Sequence, residues 1–258
     1  MINALEAGKT KMDNNWKVSI ITVCYNSAAH IEKTINSVLN QDYDHIEYII
    51  IDGKSTDNTM NIVNSFESKF KKKGYDFIAI SEADCGIYDA MNKGISMATG
   101  EIVGLINSDD WYEADAISCM VNTYKTNRFD MFYADLRIWR GSKTMIKRAR
   151  LRKIVTTRDW NHPTTFITRE TYKEFRYACK GIYDDWDLVL RVRNKGKKIV
   201  ICNKVLANFS FGGISNQKSI KKVCERIKEK YRIYRRNGYS RWYLMECILM
   251  ETAKYFAA

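Results

Sequence analysis

Short β-branched runs alternate with amphipathic stretches through the first half of the chain. Residues 18–23 (Val-Ser-Ile-Ile-Thr-Val) read as a buried strand. Asn26 and Ser27 offer caps to a helix whose apolar residues Ile31, Ile35, Val38 and Leu39 recur at helical spacing. Residues 46–51 form a second strand, and Asp57 opens one helix running through Met60, Val63, Phe66 and Phe70. A third strand at 77–80 leads into a helix at 87–98, which Gly100 stops. A fourth strand at 102–106, a helix at 114–125 and a fifth strand at 131–134 complete the pattern.

That alternation predicts an α/β fold with a doubly wound, mostly parallel sheet flanked by helices. Such sheets bind ligands at the carboxyl ends of their strands. Cys24, Tyr25 and Asn26 follow the first strand, and Asp52-Gly53 the second. Glu82 and Asp84 follow the third, and Asn107, Ser108, Asp109 and Asp110 the fourth. Three of the four ends therefore deliver carboxylates to one rim, where they repel unless a cation or donor groups neutralise them. Asp57 is explained as a helix cap. Asp109 and Asp110 together exceed what one cap needs. The first strand-to-helix turn lacks G-x-G-x-x-G, which argues against a dinucleotide-binding Rossmann site.

Charge sharpens this picture. The net charge of +12 is concentrated in two places. Residues 136–160 carry nine Lys or Arg against Asp159, a net +8, and residues 218–258 carry eleven against four Glu, a net +7. Such clusters suit anionic lipid, nucleic acid or phosphorylated substrates. The seven cysteines form no C-x-x-C pair, as expected of free thiols in a reducing compartment with no zinc site. Residues 1–15 lack the apolar core of a signal peptide, and no stretch reaches the roughly 18 apolar residues of a membrane span.

Four segments together resemble the family 2 glycosyltransferases of the GT-A fold. They are 18–26 (VSIITVCYN), 49–59 (IIIDGKSTDNT), 81–94 (SEADCGIYDAMNKG) and 107–111 (NSDDW), in register at strand ends. The likeness runs from about residue 17 to 215. It implies a nucleotide-sugar-binding half at 17–135 and an acceptor-binding half at 136–216, and the residues beyond it, 217–258, read as basic amphipathic C-terminal helices. It places Thr22, Tyr25, Asn26 and Asp52 around the nucleotide, with Tyr25 and Asp52 on its base and ribose. Glu82 and Asp84 fall where the family meets the nucleoside or donor sugar. Asp89, Asn92 and Lys93 look like the lining of the donor pocket. Asn107-Ser108-Asp109 occupies the D-x-D position, whose role is to hold Mn²⁺ or Mg²⁺ against the diphosphate. Asn107 stands where that motif has its first Asp, leaving Asp109 and then Asp110 as the expected metal ligands.

In the second half, 161–166 (NHPTTF) is similar to the family's short histidine segment, and His162 is expected near metal, diphosphate or acceptor, or else as a structural histidine. Residues 183–191 (YDDWDLVLR) match the acidic segment that opens a helix, and Asp185 falls on the catalytic base. An inverting transfer needs one carboxylate to take the acceptor hydroxyl's proton. The other aspartates also suit a helix N-terminus. Trp186 is either a sugar platform or core. The Gly212-Gly213 loop is expected to close on diphosphate or acceptor.

Ile220, Val223, Ile227, Tyr231 and Tyr234 form one stripe, with Lys221, Lys222, Arg226, Lys228, Arg232, Arg235 and Arg236 on the other faces. Asn237-Gly238 ends that helix, and a largely apolar segment follows. The arm reads as an interfacial anchor on anionic lipid, or as a surface packed on the domain or a dimer partner. The expected enzyme is a metal-dependent inverting hexosyl- or N-acetylhexosaminyltransferase of cell-envelope polysaccharide biosynthesis. It would use a UDP-sugar and a lipid-linked or glycan acceptor, at the cytoplasmic face of the membrane. The competing readings are a nucleotidyltransferase acting on a sugar phosphate and a non-enzymatic nucleic-acid binder. Carboxylates at three strand ends disfavour nucleic acid as a partner.

Overall fold

The computed structural model describes residues 16–211 and 219–257. Four strands lead: β1 (Val18–Cys24), β2 (Ile46–Asp52), β3 (Asp76–Ser81) and β4 (Ile102–Asn107). They alternate with α1 (Ile31–Leu39), α2 (Thr59–Ser65), α3 (Glu67–Lys73) and α4 (Ile87–Met97). The strands lie parallel in the order β3-β2-β1-β4. β1 and β2 are buried along their whole length, as helix-covered parallel strands are. The helix expected to run unbroken from Asp57 is two helices. Phe66 N–H bonds Val63 O at 3.1 Å, a tightened turn that sends Phe66 and Phe70 into the core together.

The second half comprises β5 (Trp111–Tyr112), α5 (Ala116–Thr126), β6 (Met131–Arg140), β7 (Lys143–Lys147), a 3-10 turn (His162–Thr164), β8 (Phe166–Thr168), α6 (Arg169–Glu174), α7 (Asp184–Asn194) and β9 (Ile199–Ser210). β8 enters antiparallel between β4 and β6, β6 pairs parallel with β9, and β5 returns antiparallel on β9. One mixed sheet therefore runs through both halves, parallel on the donor side. The seam is tight: a Cβ on Gly104 of β4 would lie 2.5 Å from the Phe166 ring of β8. The Gly212-Gly213 loop and residues 1–15 lie outside the described residues.

The arm packs on the domain. It is α8 (Ile220–Arg236) and α9 (Tyr243–Ala257), and Val223, Ile233 and Tyr234 are buried in it. The stripe is imperfect at its start, since Ile220 is exposed. Arg226 and Arg236, expected on solvent faces, turn inward instead. Arg236 reaches Asp187 at 2.8 Å and Arg226 reaches the buried Glu251 at 2.9 Å. Lys230, also buried, pairs with Glu251 at 2.7 Å. These acids draw the cations in because a buried carboxylate is costly unless paired.

Burial pushes the Glu251 carboxyl up, but the charges of Lys230 and Lys254 and hydrogen bonds from Lys230 and Arg226 outweigh it and hold it at about 2. Its folded value lies below the unfolded one, so its stabilisation is complete above the ordinary glutamate range and is lost as pH falls towards about 2. Glu251→Gln leaves buried cations uncompensated. It should cost about 3 kcal/mol and lower Tm by roughly 10 °C at neutral pH, with the gap to wild type closing in acid, as thermal melts would show.

Candidate functional site

The rim is built by loops that brace one another. Cys24 and Asp52 end neighbouring strands as register partners. Asn26 sits at φ 49°, a left-handed conformation asparagine tolerates. From there its N–H reaches Ser55 Oγ at 2.8 Å and its Oδ1 accepts Thr56 N–H at 2.9 Å. Asn26 is thus a clasp between the first two loops. Asp52 lies beneath this floor, fully buried. Its carboxylate accepts Ser55 N–H at 2.9 Å and Ser81 Oγ at 2.6 Å. The expected direct contact with a base is corrected here: Asp52 supports the slot from below. Thr22 is also corrected. It is buried within β1 and accepts the Tyr48 hydroxyl at 3.0 Å, away from the rim.

The open part of the slot is Tyr25, Gly53 and Asp84. Tyr25 is 62% exposed. A Cβ at Gly53 would lie 2.6 Å from Asp84 Oδ2 and 3.5 Å from the Tyr25 ring, so backbone is exposed between an aromatic face and a carboxylate. The next loop is pinned by its own charges. Lys93 pairs with Glu82 at 2.9 Å and Asp89 at 3.6 Å, and donates to Ala83 O at 2.8 Å. Asp84 accepts Gly86 N–H at 2.8 Å. Asn92, expected in the donor lining, is instead a clip: it donates to Tyr177 O at 2.9 Å and accepts Tyr177 N–H at 3.1 Å, fastening α4 to the acceptor side.

Beyond β4, Ser108 Oγ meets Ser27 Oγ at 2.8 Å. Asn107 Oδ1 is buried with no partner. Burial pushes the Asp109 carboxyl up, against its own backbone N–H and the charge of His30. His30 is thereby a neighbour of the site that its place before α1 did not signal. Asp110 departs from expectation. It is fully buried and points at β9, where its Oδ1 accepts Ser210 N–H at 3.1 Å. Burial and then Asp109 push its carboxyl well above the ordinary range. Asp110 therefore shapes the site, and Asp109, only half-buried, is the carboxylate of this loop left closer to the rim.

Among the described residues no three His, Cys, Asp or Glu side chains are grouped to hold a metal by themselves. The orphaned Asn107 carbonyl and the accessible Asp109 do fit a hard divalent ion completed by phosphate oxygens and water, since Mg²⁺ commonly takes one or two carboxylates and its remaining ligands from substrate.

The three aspartates that open α7 separate into roles. Asp184 accepts N–H groups from Lys180 and Gly181. Asp187 is held by Arg191, Arg236 and Asn237, each at 2.8 Å. Among the described residues no cation forms an ion pair with Asp185. Its Oδ1 takes the Trp186 N–H at 2.7 Å, and Tyr88 and His162 flank it. Burial lifts its carboxyl above the ordinary value, opposed by His162, the Trp186 N–H and Tyr88. Burial likewise lowers His162, opposed by Asp185. Tyr88, whose hydroxyl donates to Ile182 O at 3.0 Å, ties α4 to the start of α7. Its signal in the sequence was its place in residues 84–89, between two acids. Trp186 is core, 1% exposed and packed on the Trp160 and Tyr234 rings.

A parallel α/β half with an aromatic-carboxylate slot, continued into a mixed half whose α7 opens on Asp185, has the architecture of the GT-A class of fold. The Glycosyl transferase family 2 sequence model matches residues 19–183, and the chain belongs to that family. It is a glycosyltransferase. A PGL/p-HBAD biosynthesis glycosyltransferase of Mycobacterium tuberculosis is 28% identical over 232 residues, 83% of this chain and 85% of that protein. The Staphylococcus aureus TarS 1-349 complex with UDP-GlcNAc shares the fold at TM-score 0.66 and 16% identity, over 93% of this chain and 73% of that one. The mannosyltransferase PcManGT of Pyrobaculum calidifontis, with GDP-Man and Mn²⁺, does so at TM-score 0.67 and 17% identity, over 94% and 75%.

Proposed function

We propose that the chain is an inverting transferase moving a hexosyl or N-acetylhexosaminyl group from a UDP-sugar to a lipid-linked or glycan acceptor of the cell envelope. Family membership removes the nucleotidyltransferase and nucleic-acid-binding readings. The TarS complex with UDP-GlcNAc supports the donor class, and the likeness to a PGL/p-HBAD biosynthesis glycosyltransferase agrees with a biosynthetic acceptor of this kind. The observation that carries the mechanism is Asp185. Among the described residues, it is the one acid of the three in that helical turn without an ion pair or a backbone clamp from outside the turn.

In this reading residues 17–135 bind donor, 136–216 receive acceptor and 217–258 brace α7. Tyr25 stacks on the base and Asp84 accepts from base or ribose, over the backbone of Gly53. Asp109, with the Asn107 carbonyl, would hold Mn²⁺ or Mg²⁺, which when bound neutralises charge on the departing diphosphate. Asp185 takes the acceptor hydroxyl's proton as that oxygen attacks the anomeric carbon, and no covalent intermediate is required. His162 stays neutral beside it and orients the acceptor.

A thermal-shift screen of nucleotide sugars with and without Mn²⁺ tests this. A donor at about a hundred times its Kd stabilises by about 2.7 kcal/mol. UDP-sugars should raise Tm, and more so with Mn²⁺; no shift with any nucleotide sugar would refute the reading. The base also has a pH signature. Asp185 acts only when ionised, and burial lifts its titration. The acid limb of kcat should therefore lie above the ordinary aspartate value of about 3.9. A limb at or below that value would contradict the assignment.

A further inference from the structure

The two basic clusters, remote in sequence, meet in space. Val155 N–H donates to the Tyr243 hydroxyl of α9 at 3.1 Å, and its carbonyl accepts the Tyr234 hydroxyl of α8 at 3.1 Å. Lys147 sits near enough to Lys230 and Lys254 to feel both charges. The segment 148–158 therefore lies along the α8–α9 pair. The segment carries Arg150, Lys153 and Arg158, all exposed, and the helical arm it packs on carries Arg235 and Arg241, also exposed.

Apolar side chains stand out among these charges. On α9 the inward positions Tyr243, Glu246, Cys247 and Glu251 are buried. Trp242 (56% exposed), Met245 (53%) and Leu249 (64%) fall three and four apart on the opposite side. Ile154 (55%) and Leu151 (46%) project from the neighbouring segment. Both acids of α9 are buried on its inward side, so no acid of this helix stands among Trp242, Met245 and Leu249. A helix that needed only water there would be polar on that side.

We propose that this face, the outer side of α9 with the 148–158 segment, docks on an anionic lipid bilayer. Lysine and arginine meet the headgroups, and Trp242, Met245 and Leu249 enter the interfacial layer, where tryptophan is favoured. No helix among the described residues is long and apolar enough to cross a membrane, so the contact is peripheral. The site is tied to the inner side of the same helix, since Tyr183, two residues before Asp185, bonds the buried Glu251 of α9 at 3.2 Å. Docking would hold Asp185 near the surface from which a lipid-linked acceptor is presented; this deepens the proposed function and rests on it for the acceptor only.

Co-sedimentation of the full chain with phosphatidylcholine vesicles, with or without one quarter phosphatidylglycerol, tests the proposal. Binding should be roughly tenfold or more stronger to the anionic vesicles and should fall in high salt. The exposed double variants Trp242→Ser/Leu249→Ser and Lys153→Glu/Arg158→Glu should each lose it while keeping wild-type Tm and UDP-induced thermal shift. A protein that stays in the supernatant with anionic vesicles, or variants that pellet like wild type, would overturn it. So would a dimer on gel filtration that the Trp242→Ser/Leu249→Ser pair dissolves, since a second copy would then cover the face. The UDP shift is read separately, so loss of docking is distinct from loss of the glycosyltransferase reading.

Discussion

Asp185→Asn is expected to lower kcat by about a thousandfold and leave UDP binding nearly unchanged. General-base groups typically contribute between about a hundredfold and ten-thousandfold. The amide keeps the size of the carboxyl and can still accept the Trp186 N–H that Asp185 accepts at 2.7 Å, so α7 should fold as before. What is lost is a site for the acceptor's proton. The neighbouring acids cannot substitute, because Asp184 is turned onto the Lys180 and Gly181 amides and Asp187 onto Arg191 and Arg236. Steady-state kinetics should show the loss in kcat with KM for donor retained. Near-normal turnover would move the base elsewhere.

Asp109→Ala has the second large effect, and its readout is binding. Asp110 is fully buried and its Oδ1 is held by Ser210 N–H, so it is not placed to take over from Asp109 at the rim. Calorimetric titration with UDP should show that Mn²⁺ strengthens binding to the wild type and fails to do so for the variant. Metal-free UDP binding should match in the two proteins, because Tyr25 and Gly53 are untouched. If Mn²⁺ strengthens UDP binding equally in both, Asp109 is not the ligand.

The sequence carried the donor half well. β1, β2 and β4 are fully or largely buried, so they read as short runs rich in β-branched residues, and the acids after β2 and β4 stand where parallel topology puts ligands. The acceptor half was opaque because its order is non-local. β8 is three residues long, and its antiparallel entry depends on Gly104 facing Phe166 across the seam. In the site, residue type was legible but partnership was not. Nothing local says that Asn92 is spent on the Tyr177 backbone, that Asp110 faces β9, or that Arg236 turns inward to Asp187. The same holds in reverse for His30 and Tyr88, which come beside Asp109 and Asp185 only through folding.

The most direct test is a crystal of the protein with Mn²⁺ and a non-hydrolysable UDP-sugar, with the anomalous map phased for manganese. The peak should lie within coordination distance of the Asp109 carboxylate and the diphosphate, with uracil on Tyr25 and the anomeric carbon facing Asp185 across the space for an acceptor. A nucleotide bound away from Tyr25 and Gly53, or a sugar whose anomeric carbon Asp185 cannot approach, would contradict the account.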